Sequence, residues 1–170
     1  MSKKKSDEHA ASFLGFAQQY QRAANELLDL HSADHLLRDP IYFLYAHAVE
    51  MLLKAFLRAH NIAIVGTPWA KEKGHHLYEL YEECCRLGLN VDKNDPVGIR
   101  NVVILLDSGN RYQGFRYFSL ESGSVPDLQW TRDIVQRLVN SVQPRVDAAA
   151  KRDQLDPTRP VKFRIAMKVM

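Results

Sequence analysis

Apolar positions recur along most of this chain at spacings of three and four residues, the period of a helix buried on one side. Phe13, Ala17, Tyr20, Ala24, Leu27 and His31 form one such stripe and predict a long helix over residues 8–35. Leu44, Ala48, Met51, Leu52 and Ala55 predict a second over 40–60. It is opened by Asp39 as N-cap and by Pro40 as first helical residue, where the missing N–H costs nothing. Residues 61–74 contain Gly66, Pro68 and Gly74 and lose the period, so they read as a connection.

Leu77, Leu80, Tyr81 and Cys84 predict a third helix over 75–87, stopped by Gly88. A fourth starts at Asp95-Pro96, carries Ile99, Val102, Val103 and Leu106, and is expected to end at Gly109. Residues 110–128 have no helical period yet concentrate Tyr112, Phe115, Tyr117 and Phe118. A fifth helix over 127–151 carries Trp130, Ile134, Leu138 and Val142, with Pro144 expected to kink it. The short connections predict an all-α fold: a four- to five-helix up-and-down antiparallel bundle.

The last ten residues change period. Val161, Phe163, Ile165, Met167 and Val169 alternate with Lys162, Arg164 and Lys168, a strand-like pattern. A lone strand leaves its backbone unpaired, so this tail needs a partner: 115–120, 62–65 or another subunit. The expected organisation is a basic N-terminal tail (1–8), a helical bundle (9–152) and a basic strand-like C-terminal tail (153–170).

Composition narrows the class. A chain of 170 residues, 46% hydrophobic and 25% charged, fits one globular domain and excludes a disordered chain. No purely apolar run approaches the roughly 18 residues that a membrane span needs, and no apolar core follows the charges of residues 3–8. The expectation is a cytoplasmic protein without a membrane partner. The formal net charge of +3 is concentrated at the C-terminus, where residues 151–170 hold six basic and two acidic side chains. Cys84 and Cys85 are adjacent, which excludes a disulfide framework or zinc ribbon, and they read as reduced core or boundary residues.

Two segments carry a family resemblance. Residues 49–57, Val-Glu-Met-Leu-Leu-Lys-Ala-Phe-Leu, and residues 75–80, His-His-Leu-Tyr-Glu-Leu, resemble the E-x-x-L-K-A and H-x-L-x-x-L segments of the HEPN superfamily. Arg116-Tyr117 is similar to its R-Y element. The resemblance covers roughly residues 10–150. It implies a helical bundle, often a homodimer, in a superfamily of ribonucleases, toxin–antitoxin and phage-defence proteins, and nucleotide-binding partners of nucleotidyltransferases.

The ribonucleases of that superfamily share an Arg-x(4–6)-His motif. Such chemistry needs a proton-transfer group and a fixed cation beside the phosphate. Here Arg100-Asn101 stands where the motif would begin, but Leu105, Leu106 and Asp107 fill the histidine positions. All seven histidines precede Arg100, so the nuclease motif is absent and no catalytic residue is assigned.

Other candidates come from residue chemistry. Arg111, Tyr112, Arg116 and Tyr117 combine guanidinium forks that hold phosphate with aromatic faces that stack on bases. In the alternative, the aromatics seal the bundle end and the arginines pair with Glu79, Glu82 or Asp107. Lys54, His75 and Arg100 are lesser nucleotide- or RNA-binding candidates. His75 and His76 serve either as phosphate or base contacts or as structural residues at the helix entry. Glu50 and Lys54 form an i,i+4 pair worth a few tenths of a kcal/mol if exposed. His31 and His35 have metal-ligand spacing but no third ligand, so neither a metal nor a cofactor is assigned.

The leading expectation is an HEPN-like module that interacts with nucleotide or RNA, or serves as partner subunit to a nucleotidyltransferase or within a toxin–antitoxin pair, without nuclease activity. The alternatives are a divergent ribonuclease using His75 or His76, and a protein-interaction scaffold.

Overall fold

The computed structural model describes residues 9–31, 37–64, 74–91, 96–111 and 125–152. They form an all-α bundle of five helices: α1 (Ala10–His31), α2 (Arg38–Ala59), α3 (Leu77–Arg86), α4 (Pro96–Arg111) and α5 (Leu128–Arg152). Among the described residues there is no strand. The strand-like tail, both terminal segments, Tyr112, Arg116, Tyr117 and His35 lie outside the described residues, as do the side chains of Arg111 and His31.

The central element is α2. Fourteen of its residues are buried, on nearly every side, because α1, α3, α4 and α5 all pack against it. By length and apolarity this helix could cross a membrane, and most of it is enclosed by the bundle. Its core is built from Ile41, Tyr45, Leu52, Leu53 and Leu57.

Side-chain pairs fix the helix directions. Tyr45 donates to Asn25 Oδ1 at 2.7 Å, and the Tyr20 ring meets His47, so α1 runs antiparallel to α2. Along α5, Arg132 pairs with Asp29 at 2.5 Å, Gln21 donates to Gln136 at 2.9 Å and Gln18 to Gln143 at 3.0 Å. That order makes α5 antiparallel to α1 and places it beside α2 in the same direction. The Tyr42 hydroxyl donates to the Pro126 carbonyl at one end, and Arg152 donates to the Ala59 carbonyl at the other.

Several local expectations shift. The buried row of α1 is Leu14, Ala17, Gln21, Ala24 and Leu28, whereas Phe13, Tyr20 and Leu27 are only half-buried. The small Ala17 and Ala24 let α2 approach closely, and this rotates the buried face by about one residue. Asp39 is not the N-cap of α2; the cap is Leu37, without a side-chain bond, and Asp39 sits in the first turn where a carboxylate complements the dipole. Pro40 remains in that first turn, where no N–H partner is lost.

Gly109 does not end α4, which continues to Arg111. Trp130 does not belong to the apolar face of α5: it is 36% exposed, and Ile134, Val135, Leu138 and Val142 make the core contact. Asp127 caps that helix by accepting the Trp130 backbone N–H at 2.9 Å. Pro144 lies on the exposed side, and the helix continues through it to Arg152.

Two helix ends share one closing device. Leu89 N–H reaches the Cys84 carbonyl and Gly88 N–H the Cys85 carbonyl, with Gly88 at φ 91°, a Schellman motif. After α2, Asn61 takes the left-handed position at φ 63°, with Ile62 bonded back to Leu57 and Asn61 to Arg58.

Candidate functional site

The two segments that carry the family resemblance meet. Glu50, in the middle of α2, is 2% exposed, and its Oε1 accepts from Lys54 Nζ at 2.7 Å and from His75 Nδ1 at 3.0 Å. Lys54 is enclosed as well, with 9% of its side chain exposed. This corrects the reading of Glu50 and Lys54 as an exposed pair. Burial raises the stakes, because each charge now depends on the other for what water would otherwise supply. His75 is the outward member, its side chain 78% exposed.

Helix α3 begins at this point. His76 is its N-cap residue in extended conformation, with no capping bond from its side chain, and its Nδ1 is buried without a hydrogen-bond partner among the described residues. The first helical N–H, of Leu77, donates instead to Asp107 Oδ1 of α4 at 2.7 Å. Asp107 is 5% exposed. It therefore caps α3 from a different helix and sets its negative charge at the positive end of that dipole. Asp107 is also the last of the three positions at which the ribonuclease pattern would carry histidine, and here it does structural work.

α3 and α4 run antiparallel. Beyond Asp107, α4 extends one turn past the start of α3, so the backbone of Arg111 comes to the same end of the bundle as His75 and His76. Arg100 lies further back. It is half-exposed, pairs with Glu82 at 3.5 Å, and its guanidinium lies 5.3 Å from the centre of the Tyr78 ring while donating to the Tyr78 hydroxyl. The structure thus joins Lys54 to His75 and sets Arg100 apart on the outer face of α3 and α4.

Sequence reasoning missed Glu50 and Asp107 as site residues. The signal for Glu50 was its neighbours: Val49, Leu52 and Leu53 put it in an apolar context. The signal for Asp107 was a carboxylate directly after Leu105 and Leu106 on an apolar helix.

A second cluster lies one turn earlier on α2. His47 stacks on Phe43 with centroids 5.3 Å apart and meets the edge of Tyr20 at 4.7 Å. All three are half-buried, unlike Tyr42 and Tyr45 on the same helix, which are enclosed.

The thiols are quiet. Cys84 is buried, its Sγ 3.5 Å from the Leu53 carbonyl, and burial pushes its pKa well above the ordinary thiol range. Burial also raises Cys85. Among the described residues no group of three or more His, Cys, Asp or Glu side chains is arranged to hold a metal ion. No known protein family, curated protein or solved structure matches the chain.

Proposed function

We propose that this chain is an HEPN-like module that interacts with nucleotide or RNA, alone or as partner subunit of a nucleotidyltransferase or toxin–antitoxin system, without the nuclease chemistry of the Arg-x(4–6)-His motif. The observation that carries this reading is the 3.0 Å contact between Glu50 and His75, which makes one unit of the two resemblance segments. Beside that unit α4 ends, with the backbone of Arg111, at the same bundle end. In this reading the guanidinium groups of Arg111 and Arg116 take phosphate, and the faces of Tyr112 and Tyr117 take bases. Replacing both Arg111 and Arg116 by alanine is expected to weaken RNA and nucleotide binding at least tenfold while leaving the helical signal intact; unchanged binding contradicts the assignment.

One observation favours a second reading, a divergent ribonuclease. His75 is exposed while its Nδ1 is held by a buried carboxylate, which leaves Nε2 available for proton transfer. Cleavage of mixed RNA by the purified protein, abolished by His75→Ala, supports this reading; no cleavage ends it.

A further inference from the structure

The most basic helix of the bundle is α5. It holds five basic and two acidic side chains, whereas α3 holds one basic and three acidic. Two of the five cations are used within the fold: Arg132 pairs with Asp29 at 2.5 Å, and Arg152 donates to the Ala59 carbonyl at 3.3 Å. Arg137, Arg145 and Lys151 are exposed, and among the described residues neither Arg145 nor Lys151 enters an ion pair. Their positions are ordered. Trp130, Arg137, Pro144 and Lys151 recur every seven residues, so they drift by only about 20° per step and form one exposed row about 30 Å long. Arg145 flanks that row on one side and Asn140 on the other.

A row of this kind fits a polyanion, and its first residue asks for more than charge. Trp130 is 36% exposed although Ile134 and Leu138 on the same helix are enclosed, so its indole is not part of the core. Its backbone N–H donates to Asp127 at 2.9 Å, which fixes the start of the row. Asp133, exposed one turn further on, keeps phosphates away from these first turns. A base therefore suits the start of the row, and phosphates suit its later turns. A duplex keeps its bases stacked inside, whereas a single strand can turn one out onto an aromatic face. A membrane surface fits less well, because Trp130 is the only large apolar side chain exposed among the described residues of α5.

We propose that the outer face of α5 is a track for single-stranded RNA, on which Trp130 stacks a base while Arg137, Arg145 and Lys151 hold phosphates. This rests on the nucleotide or RNA reading above and adds a surface on a helix other than the one that ends at Arg111. The arginine forks grip two phosphate oxygens at a time, and the lysine acts as a point charge. Asn140, whose Oδ1 accepts from Gln136 at 3.0 Å, keeps its amide N–H for a ribose or phosphate oxygen. Such a track reads backbone and base faces, so its binding is sequence-tolerant and strongly salt-dependent.

The test titrates the full chain with oligouridylate, with a duplex RNA, and with oligoglutamate as a polyanion that has no bases. Arg145→Gln with Lys151→Gln should weaken oligouridylate binding roughly tenfold or more at low salt and lower the magnitude of its salt slope by about 1.4, two contacts at roughly 0.7 each. Trp130→Ala should weaken it roughly fivefold or more and leave the slope unchanged. All three side chains are exposed, so the helical signal of both variants should stay intact. Duplex RNA bound as tightly as the single strand overturns the track, and oligoglutamate bound as tightly as oligouridylate overturns it in favour of an acidic protein surface. RNA binding that survives both α5 variants unchanged but is abolished by Arg111→Ala with Arg116→Ala overturns the track alone. No RNA binding by the intact chain overturns both the track and the broader reading.

Discussion

His75 and Glu50 stand 25 residues apart in the chain and 3.0 Å apart in the fold, where an exposed imidazole is tied to a carboxylate deep in the central helix. That link fastens the entry of α3 to the middle of α2. It also makes Glu50 a shared acceptor, since Lys54 uses the same oxygen.

The buried pair gives the clearest stability prediction. Glu50→Ala leaves the Lys54 ammonium enclosed without its counter-charge, and should cost about 3–5 kcal/mol in a urea unfolding curve. Replacing both together, Glu50→Leu with Lys54→Met, removes two charges whose desolvation was costly. It should cost much less or even stabilise. A double substitution as damaging as the single one would show that the pair is not coupled in this way.

Asp107 caps α3 by accepting a backbone N–H from Leu77. Asp107→Ala removes the acceptor of Leu77 N–H and the favourable charge at the start of α3, with an expected loss of about 1–3 kcal/mol. Hydrogen exchange should show the first turn of α3 opening more readily than the core of α2 in that variant.

Two glycines should respond oppositely. Gly88 holds φ 91°, so Gly88→Ala should destabilise by about 1 kcal/mol even though space around it is open. Gly15 lies inside α1, with nothing within 4 Å of an added Cβ. Gly15→Ala should stabilise by about 0.5–1 kcal/mol. Thermal melting of the two variants checks both signs.

The fold was legible in the sequence because its helices keep their apolar period. Gly88 marks the end of α3 and Pro96 the start of α4, both by backbone chemistry alone. The errors arise where a neighbour decides. The row of α1 rotated because Ala17 and Ala24 admit α2, and periodicity does not register which partner comes close. Trp130 was counted as core for its apolarity, although α5 already had Ile134 and Val135 to bury. Of the site, Lys54 and His75 were recognised by their motifs, but their joining through Glu50 spans 25 residues and no local pattern encodes it. Asp107 was noted only as a candidate partner for arginine, because a cap supplied from another helix has no sequence spacing.

Alkaline pH should weaken the protein for a stated reason. Burial raises the pKa of Cys84 above its ordinary 9.0, and those of Tyr45 and Tyr81 above 10.0. The folded state therefore keeps protons that the unfolded chain releases. The stabilisation is complete below about pH 9 and declines as pH rises through and beyond the ordinary thiol and phenol values. Denaturant midpoints measured between pH 8 and 11 should fall steadily above pH 9. Over the same range, alkylation of Cys84 should stay far slower than that of the unfolded chain.

The central claim, a module that engages the phosphates and bases of nucleotide or RNA at the end of the bundle marked by His75 and Arg111, is tested most directly by a salt titration. Single-stranded RNA binding by the intact chain should weaken linearly in log salt. Arg111→Ala with Arg116→Ala should reduce the magnitude of that slope by about 1.4, the loss of two phosphate contacts at roughly 0.7 each. No measurable binding at low salt, or the same affinity and slope in both proteins, would contradict the account.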